Sequence, residues 1–141
     1  LRKVTSIMKI VTDIERIADH CEDISKYIIN IHKMPVIKAP AHLTEMIDAM
    51  TRMVIETINS FVTNDLEKAT DVIIADDIVD DLFEKISEEL ITMMQVDKNV
   101  IPQCVSYLMI IKYLERMGDH ATNIAEWNKF IITGNLITSI N

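Results

Sequence analysis

Three pairs of carboxylates stand out by type and spacing. Glu15 with Asp19, Glu115 with Asp119, and Asp76 with Asp80 are each four residues apart, and on a helix that spacing puts both acids on one face, about 6 Å apart. Asp77 and Asp81 make a parallel stripe beside the third pair, while Asp23 and Asn123 carry the other two stripes one turn further. Like charges at this spacing cost an isolated helix a few tenths of a kcal/mol, so their repetition calls for something cationic to compensate. Arg16 and Arg116, one position off the stripe, can act as partial counter-ions. Brought together in an antiparallel helix pair, Asp76, Asp80, Glu115 and Asp119 would offer hard oxygens able to bridge cations, as carboxylate clusters do inside helical bundles. On spacing alone, the run from Asp76 to Asp81 reads first as a solvated acidic face.

The residues around these pairs narrow the chemistry. His20 and His120 each follow an Asp by one position, about 100° around the helix, and the Glu-x-x-His pattern of ferritin-like metal sites is absent. The histidines therefore read as hydrogen-bonding residues beside a site. Gly118 sits mid-helix, at a cost of about 1 kcal/mol relative to Ala, and lies between two carboxylates. Either a close approach of backbone or an ion, or tight helix packing, explains it. His-Glu-x-x-His, Gly-x-Ser-x-Gly and P-loop patterns are missing, and Trp127 is the only candidate sugar platform for a paired-carboxylate glycosidase. A binding role is expected, not catalysis.

The elements that must hold these groups are helices. The chain has 141 residues, 49% of them hydrophobic, with only two glycines and three prolines, too few turn formers for a sandwich or barrel. Apolar residues from Val4 to Ile31 keep a 3, 4 spacing and predict a helix over about 1–31. Pro35 and Pro40 then mark the main linker. A second helix is predicted from Leu43 to Val62, with Leu43, Met46, Ile47, Met50 and Ile58 among its inner residues. A third should run from Asp65 to Gln95, capped by Asn64 or Asp65, with its carboxylates outward. The fourth is capped by Asn99, tolerates Pro102 in its first turn, and is closed by Gly134 after Thr133. The nine methionines read as core filler.

The net charge of −8 is concentrated: residues 64–97 carry eleven acids against Lys68 and Lys85. No basic groove for nucleic acid is present. Cys21 and Cys104 form neither a C-x-x-C nor a multi-bridge pattern, which fits a reduced cytosolic setting. No apolar run approaches the roughly 20 residues of a membrane span.

An internal repeat organises the chain. Ile14-Glu15-Arg16-Ile17-Ala18-Asp19-His20 returns one hundred residues later as Leu114-Glu115-Arg116-Met117-Gly118-Asp119-His120. The fourth helix has two helices before it and the first has none, so two helices are expected to be missing at the N-terminus, and the chain reads as a fragment.

The segments Glu15 to Ile24 and Glu115 to Glu126 resemble the paired signatures of the PhoU family, and Asp76-Asp77-Ile78-Val79-Asp80-Asp81-Leu82-Phe83 is similar to that family's Asp-x-x-Val-Asp-x-Leu-aromatic motif. The resemblance implies an all-α fold of tandem three-helix bundles. Residues 1–34 would be the last helix of an incomplete first repeat, 35–42 a linker, 43–134 the second repeat and 135–141 a tail. It also implies a cytoplasmic, metal-binding negative regulator of phosphate-starvation signalling, coupling the phosphate ABC transporter, through its ATPase, to a sensor histidine kinase. The implied metal pairs are Glu15 with Asp19, Asp76 with Asp80, and Glu115 with Asp119, supported by Asn123, Asp23, Arg16 and Arg116. An all-oxygen set accepts Fe, Zn, Mn or Mg. Two departures from the pattern are Asp23, where the motif usually has Asn, and the absent middle helix of the first bundle. The first helix then carries an unpartnered apolar face, so packing onto the other helices as a fourth member, or a homodimer or swapped oligomer, is expected. Other readings are the cytosolic domain of a sodium/phosphate cotransporter and, from a different class, a carboxylate-bridged di-metal oxidase.

Overall fold

The structure, a computed structural model, describes residues 1–134; the tail expected at 135–141 lies outside them. Four α-helices follow one another: α1 (Arg2–His32), α2 (Leu43–Thr63), α3 (Leu66–Val96) and α4 (Ile101–Thr133), with a single 3₁₀ turn, Lys98–Val100, leading into α4. The described residues contain no strand. The fold is all-α, as the periodicity predicts.

Helices α2, α3 and α4 pack against one another as a three-helix bundle, and among the described residues α1 packs against α4 alone. The α1–α4 pair is antiparallel. Arg2 at the start of α1 reaches the Ile131 carbonyl at 3.5 Å, and Asn30 near its end donates to the Ser106 hydroxyl at 3.2 Å. The bundle core is built by Met46, Met50 and Met53 of α2, Val72, Val79, Ile86 and Leu90 of α3, and Ile111 of α4, all at most 2% exposed. Burying each such side chain contributes about 1.5–3 kcal/mol, so these three methionines are core filler as expected, whereas Met8 of α1 is 66% exposed. Ile47 and Ile58, expected inside, are 41% and 45% exposed because α2 has only α3 and α4 to bury against.

Helix ends follow local chemistry. Asp65 caps α3 by accepting from the Lys68 amide at 3.1 Å, while Asn64 takes the left-handed conformation that ends α2. Gly134, at φ 79°, closes α4 by donating its N–H to the Phe130 carbonyl. The cap expected at Asn99 is not made: Val100 precedes α4 without a side-chain cap bond, and the side-chain cap belongs to the 3₁₀ turn before it. The Asp97 carboxylate accepts from the Asn99 amide at 2.9 Å, and this Asx-type turn starts the 3₁₀ segment before α4 can begin. The linker is tied down as well: Gln103 donates to the Pro35 carbonyl at 2.8 Å, and the Ala41 amide and His42 both bond the Glu89 carboxylate.

Helix α1 does join the bundle as a fourth member, but only along α4. Ser6 and Ile10 are buried and Ile17, Ile24, Tyr27 and Ile31 pack at the edge of the core. Val4, Met8, Val11, Ile14 and Ile28 stay exposed. One neighbouring helix covers only part of so wide an apolar face.

Candidate functional site

The α3–α4 contact positions the carboxylates. Val79 and Gly118 are both buried where the helices meet, so Asp76 and Asp80 of α3 flank the contact on one side and Glu115 and Asp119 of α4 on the other. Gly118 makes this approach possible. A Cβ there would lie 3.0 Å from Met50 Cε, 3.2 Å from Asp76 Oδ1 and 3.7 Å from Val79 Cγ1. Close backbone approach and tight packing are therefore one arrangement, with the Asp76 carboxylate laid over the glycine.

Asp76 corrects the expectation that the α3 carboxylates all face water. Its Oδ1 is shielded from solvent and has no hydrogen-bond partner among the described residues, which for a charged oxygen is costly. Burial first, then the charges of Asp80, Asp119 and Asp77, push its pKa up to about 6. Burial raises Glu115 as well, reinforced by Asp80, Asp119 and Asp76, and raises Asp80, reinforced by Asp119, Asp77 and further acids of α3. Asp119 is raised by burial and held back by His120 and Arg116. These four acids feel one another's charge, and among the described residues none of them is in an ion pair.

Such a set suits a hard cation: several carboxylate oxygens, one of them buried and unbonded, with Arg116 offsetting only the charge of Asp119 and no Lys or Arg in an ion pair with any of the four among the described residues. As they stand, no three His, Cys, Asp or Glu side chains among the described residues are arranged to hold a metal ion together. A cation would have to draw the carboxylates inward by side-chain rotation.

The other expected residues lie elsewhere. Glu15 and Asp19 are exposed on α1, a helix whose only packed neighbour is α4, and they do not join the four. Asp23 approaches His20 at 3.6 Å, Arg116 stands over the Tyr113 ring at 5.8 Å, and Arg16 and Asn123 line a groove between α1 and α4. The two histidines stack on each other at that seam, 5.5 Å between centroids. Burial lowers the pKa of His20, with Asp23 opposing. Sequence reasoning passed over Glu126 and Asn128, which are 3% and 0% exposed. Asn128 donates to the Ser60 hydroxyl at 3.3 Å and so links α4 to α2. Polar residues on an otherwise apolar stripe were the available signal.

Comparison with known proteins follows the same helices. The profile of the PhoU domain matches residues 1–28 and 43–127. The phosphate-specific transport system accessory protein PhoU homolog of Clostridium acetobutylicum is 36% identical over 134 residues, which cover 95% of this chain and 61% of that protein. The homolog from Caulobacter vibrioides strain NA1000 is 35% identical, covering 99% and 61%. Among solved structures, the phosphate transport system regulatory protein PhoU from Streptococcus pneumoniae superposes with a TM-score of 0.87 at 31% identity, over 97% of this chain and 65% of that one. PhoU from Pseudomonas aeruginosa gives 0.91 at 29%, over 96% and 65%. The chain thus spans about three fifths of the length of the curated relatives it matches. Among the described residues, no helix is long and apolar enough to cross a membrane.

Proposed function

This chain belongs to the PhoU domain family, and on that premise we propose that it is a cytoplasmic regulator of phosphate uptake and phosphate-starvation signalling whose α3–α4 carboxylates hold divalent or trivalent cations. It acts as a binding module. Asp76, Asp80, Glu115 and Asp119 are the ligands, and Arg116, close enough to Asp119 to hold its pKa down, trims the negative charge at one edge. A bound cation supplies positive charge that relieves the repulsion among the four acids and ties α3 to α4. The curated relatives are named accessory proteins of the phosphate-specific transport system, which supports a link to the transporter; its ATPase and a sensor histidine kinase are the partners proposed for the bundle.

The observation that carries the metal reading is the buried, unbonded Oδ1 of Asp76, whose pKa Asp80, Asp119 and Asp77 raise further, in a set with no ion pair to any of its four acids among the described residues. Elemental analysis of protein prepared without chelator, with an anomalous scattering map of its crystals, tests the site. Metal at Asp76, Asp80, Glu115 and Asp119 is expected; metal elsewhere would sink the assignment. The regulatory reading is tested separately by pull-down of the transporter ATPase and the kinase, with complexes expected to weaken after EDTA treatment. Complexes unchanged by EDTA would uncouple regulation from the cation.

A further inference from the structure

The antiparallel α1–α4 pair carries its own approximate symmetry. Residue i of α1 corresponds to residue i+100 of α4, and His20 stacks on its mate His120 near the centre of the pair. The two sides of that centre differ at several positions, and the change that matters most for the seam is Asp13 against Tyr113. On one side, the Tyr113 ring fills the seam: it lies 5.4 Å from His20 and 6.1 Å from Tyr27, and Lys112 and Arg116 each cap it at 5.8 Å.

On the other side the mate of Tyr113 is Asp13, a short side chain bonded to His120 Nδ1 at 2.8 Å. With no ring to fill it, the seam opens into a groove of about 420 Å³ lined by Lys9, Asp13, Arg16, His120, Asn123 and Trp127. That volume lies within the usual range for small-molecule sites, about 300–1,000 Å³. Arg16, the mate of Arg116, has lost its ring, and neither it nor Lys9 has an ion-pair partner among the described residues. Lys9 and Arg16 stand two turns apart on one face of α1, and Asp13 between them is already engaged by His120.

We propose that this groove binds a phosphoryl oxyanion, free or as a small monoester, with Arg16 as the forked donor and Lys9 as the second positive charge. A guanidinium matches two phosphate oxygens at once, and an ammonium adds a point charge without demanding a direction. His120, held by Asp13, and the Asn123 amide bound the groove from α4, with the Trp127 indole beside them. The site shares no ligand with the carboxylate cluster, because it uses the α1-facing side of α4; His120 adjoins Asp119 and is the link between them.

Trp127 is the only tryptophan in the chain, so its fluorescence reports the groove directly. The 141-residue chain is titrated, in EDTA, with inorganic phosphate, with glycerol phosphate, and with sodium chloride at matched ionic strength. A saturable change with either phosphoryl compound is expected; the lower midpoint identifies free anion or ester. Arg16→Gln should raise the midpoint at least about tenfold, as loss of a forked charge-assisted contact requires. Asp13→Asn should lower it by removing the one negative charge in the groove, whereas Lys98→Gln, remote from the groove, should not move it. A response that tracks ionic strength alone, an Arg16→Gln midpoint equal to wild type, or weakening by Asp13→Asn as well as by Arg16→Gln would overturn the proposal.

Discussion

Replacing Asp76 by Asn tests whether the carboxylate cluster is strained in the metal-free protein. The folded-state pKa of about 6 stands above the ordinary 3.8, so the folded protein binds the proton more tightly than the unfolded chain. Asp76 therefore costs no stability below pH about 4 and costs progressively more as pH rises through 6. Two units correspond to about 3 kcal/mol at face value. The cluster is partly open to water, and solvent screening reduces this to about 1–2 kcal/mol. Asn keeps the shape and removes the charge, so Asp76→Asn should unfold about 1–2 kcal/mol harder than wild type at pH 7.5 in EDTA, a rise of roughly 3–6 °C in Tm. Urea and thermal unfolding followed by circular dichroism at pH 7.5, 6 and 4 give the profile, and the advantage should shrink to nothing at pH 4. An Asn variant less stable than wild type at pH 7.5, or an advantage independent of pH, would refute the reasoning.

Three further outcomes follow from the same geometry. Gly118→Ala gains helix propensity of about 1 kcal/mol but sets a methyl 3.0 Å from Met50 Cε and 3.2 Å from Asp76 Oδ1; unfolding should change by less than about 1 kcal/mol while Mn²⁺ affinity, read by calorimetry, falls about tenfold. Saturating metal should raise the wild-type Tm, worth about 2.7 kcal/mol at a hundredfold excess over Kd, and should not raise it in Glu115→Gln. The exposed stripe of Val4, Met8, Val11 and Ile14 should make the chain self-associate, and Val11→Glu should reduce this; light scattering of a clean monomer at micromolar concentration would count against exchange.

Much of the fold was legible in the residues because helices announce themselves locally. Apolar spacing located the first three, capping residues and the internal repeat located the fourth, and Asp65 and Gly134 marked ends by chemistry that acts within a few residues. What periodicity does not carry is how much neighbour each face will find. The stripe from Val4 to Ile31 predicts an inner face, yet half of it stays in water because α1 meets only α4. Asn99 failed as a cap because Asp97 accepts from its amide and starts a 3₁₀ turn that contains Asn99, so α4 begins only after Val100, a displacement that spacing cannot judge. At the site, the pairing of Asp76 and Asp80 with Glu115 and Asp119 was readable from the repeat motifs. The inward turn of Asp76 was not: it depends on the missing side chain of Gly118, one helix away. The groove at Arg16 was also visible in principle, since aligning the two repeat copies sets Asp13 against Tyr113.

The strain and the proposed affinity are linked quantities. Whatever free energy the four acids take from the metal-free fold by repelling one another and by burying an unbonded oxygen is released when a cation sits among them, so it reappears as binding energy. Variants of Asp76, Asp80, Glu115 and Asp119 to their amides should then fall on one line: the more a substitution stabilises the protein in EDTA, the more metal affinity it removes. Asp76 should lie furthest along that line, because it alone combines a shielded Oδ1 with three charged neighbours that raise its pKa. The line should be absent for Glu15→Gln and Asp19→Asn, whose carboxylates stand exposed on α1. If those two variants remove as much affinity as Asp76→Asn, the cation is held on the outer face of α1 and the α3–α4 cluster is only an acidic surface.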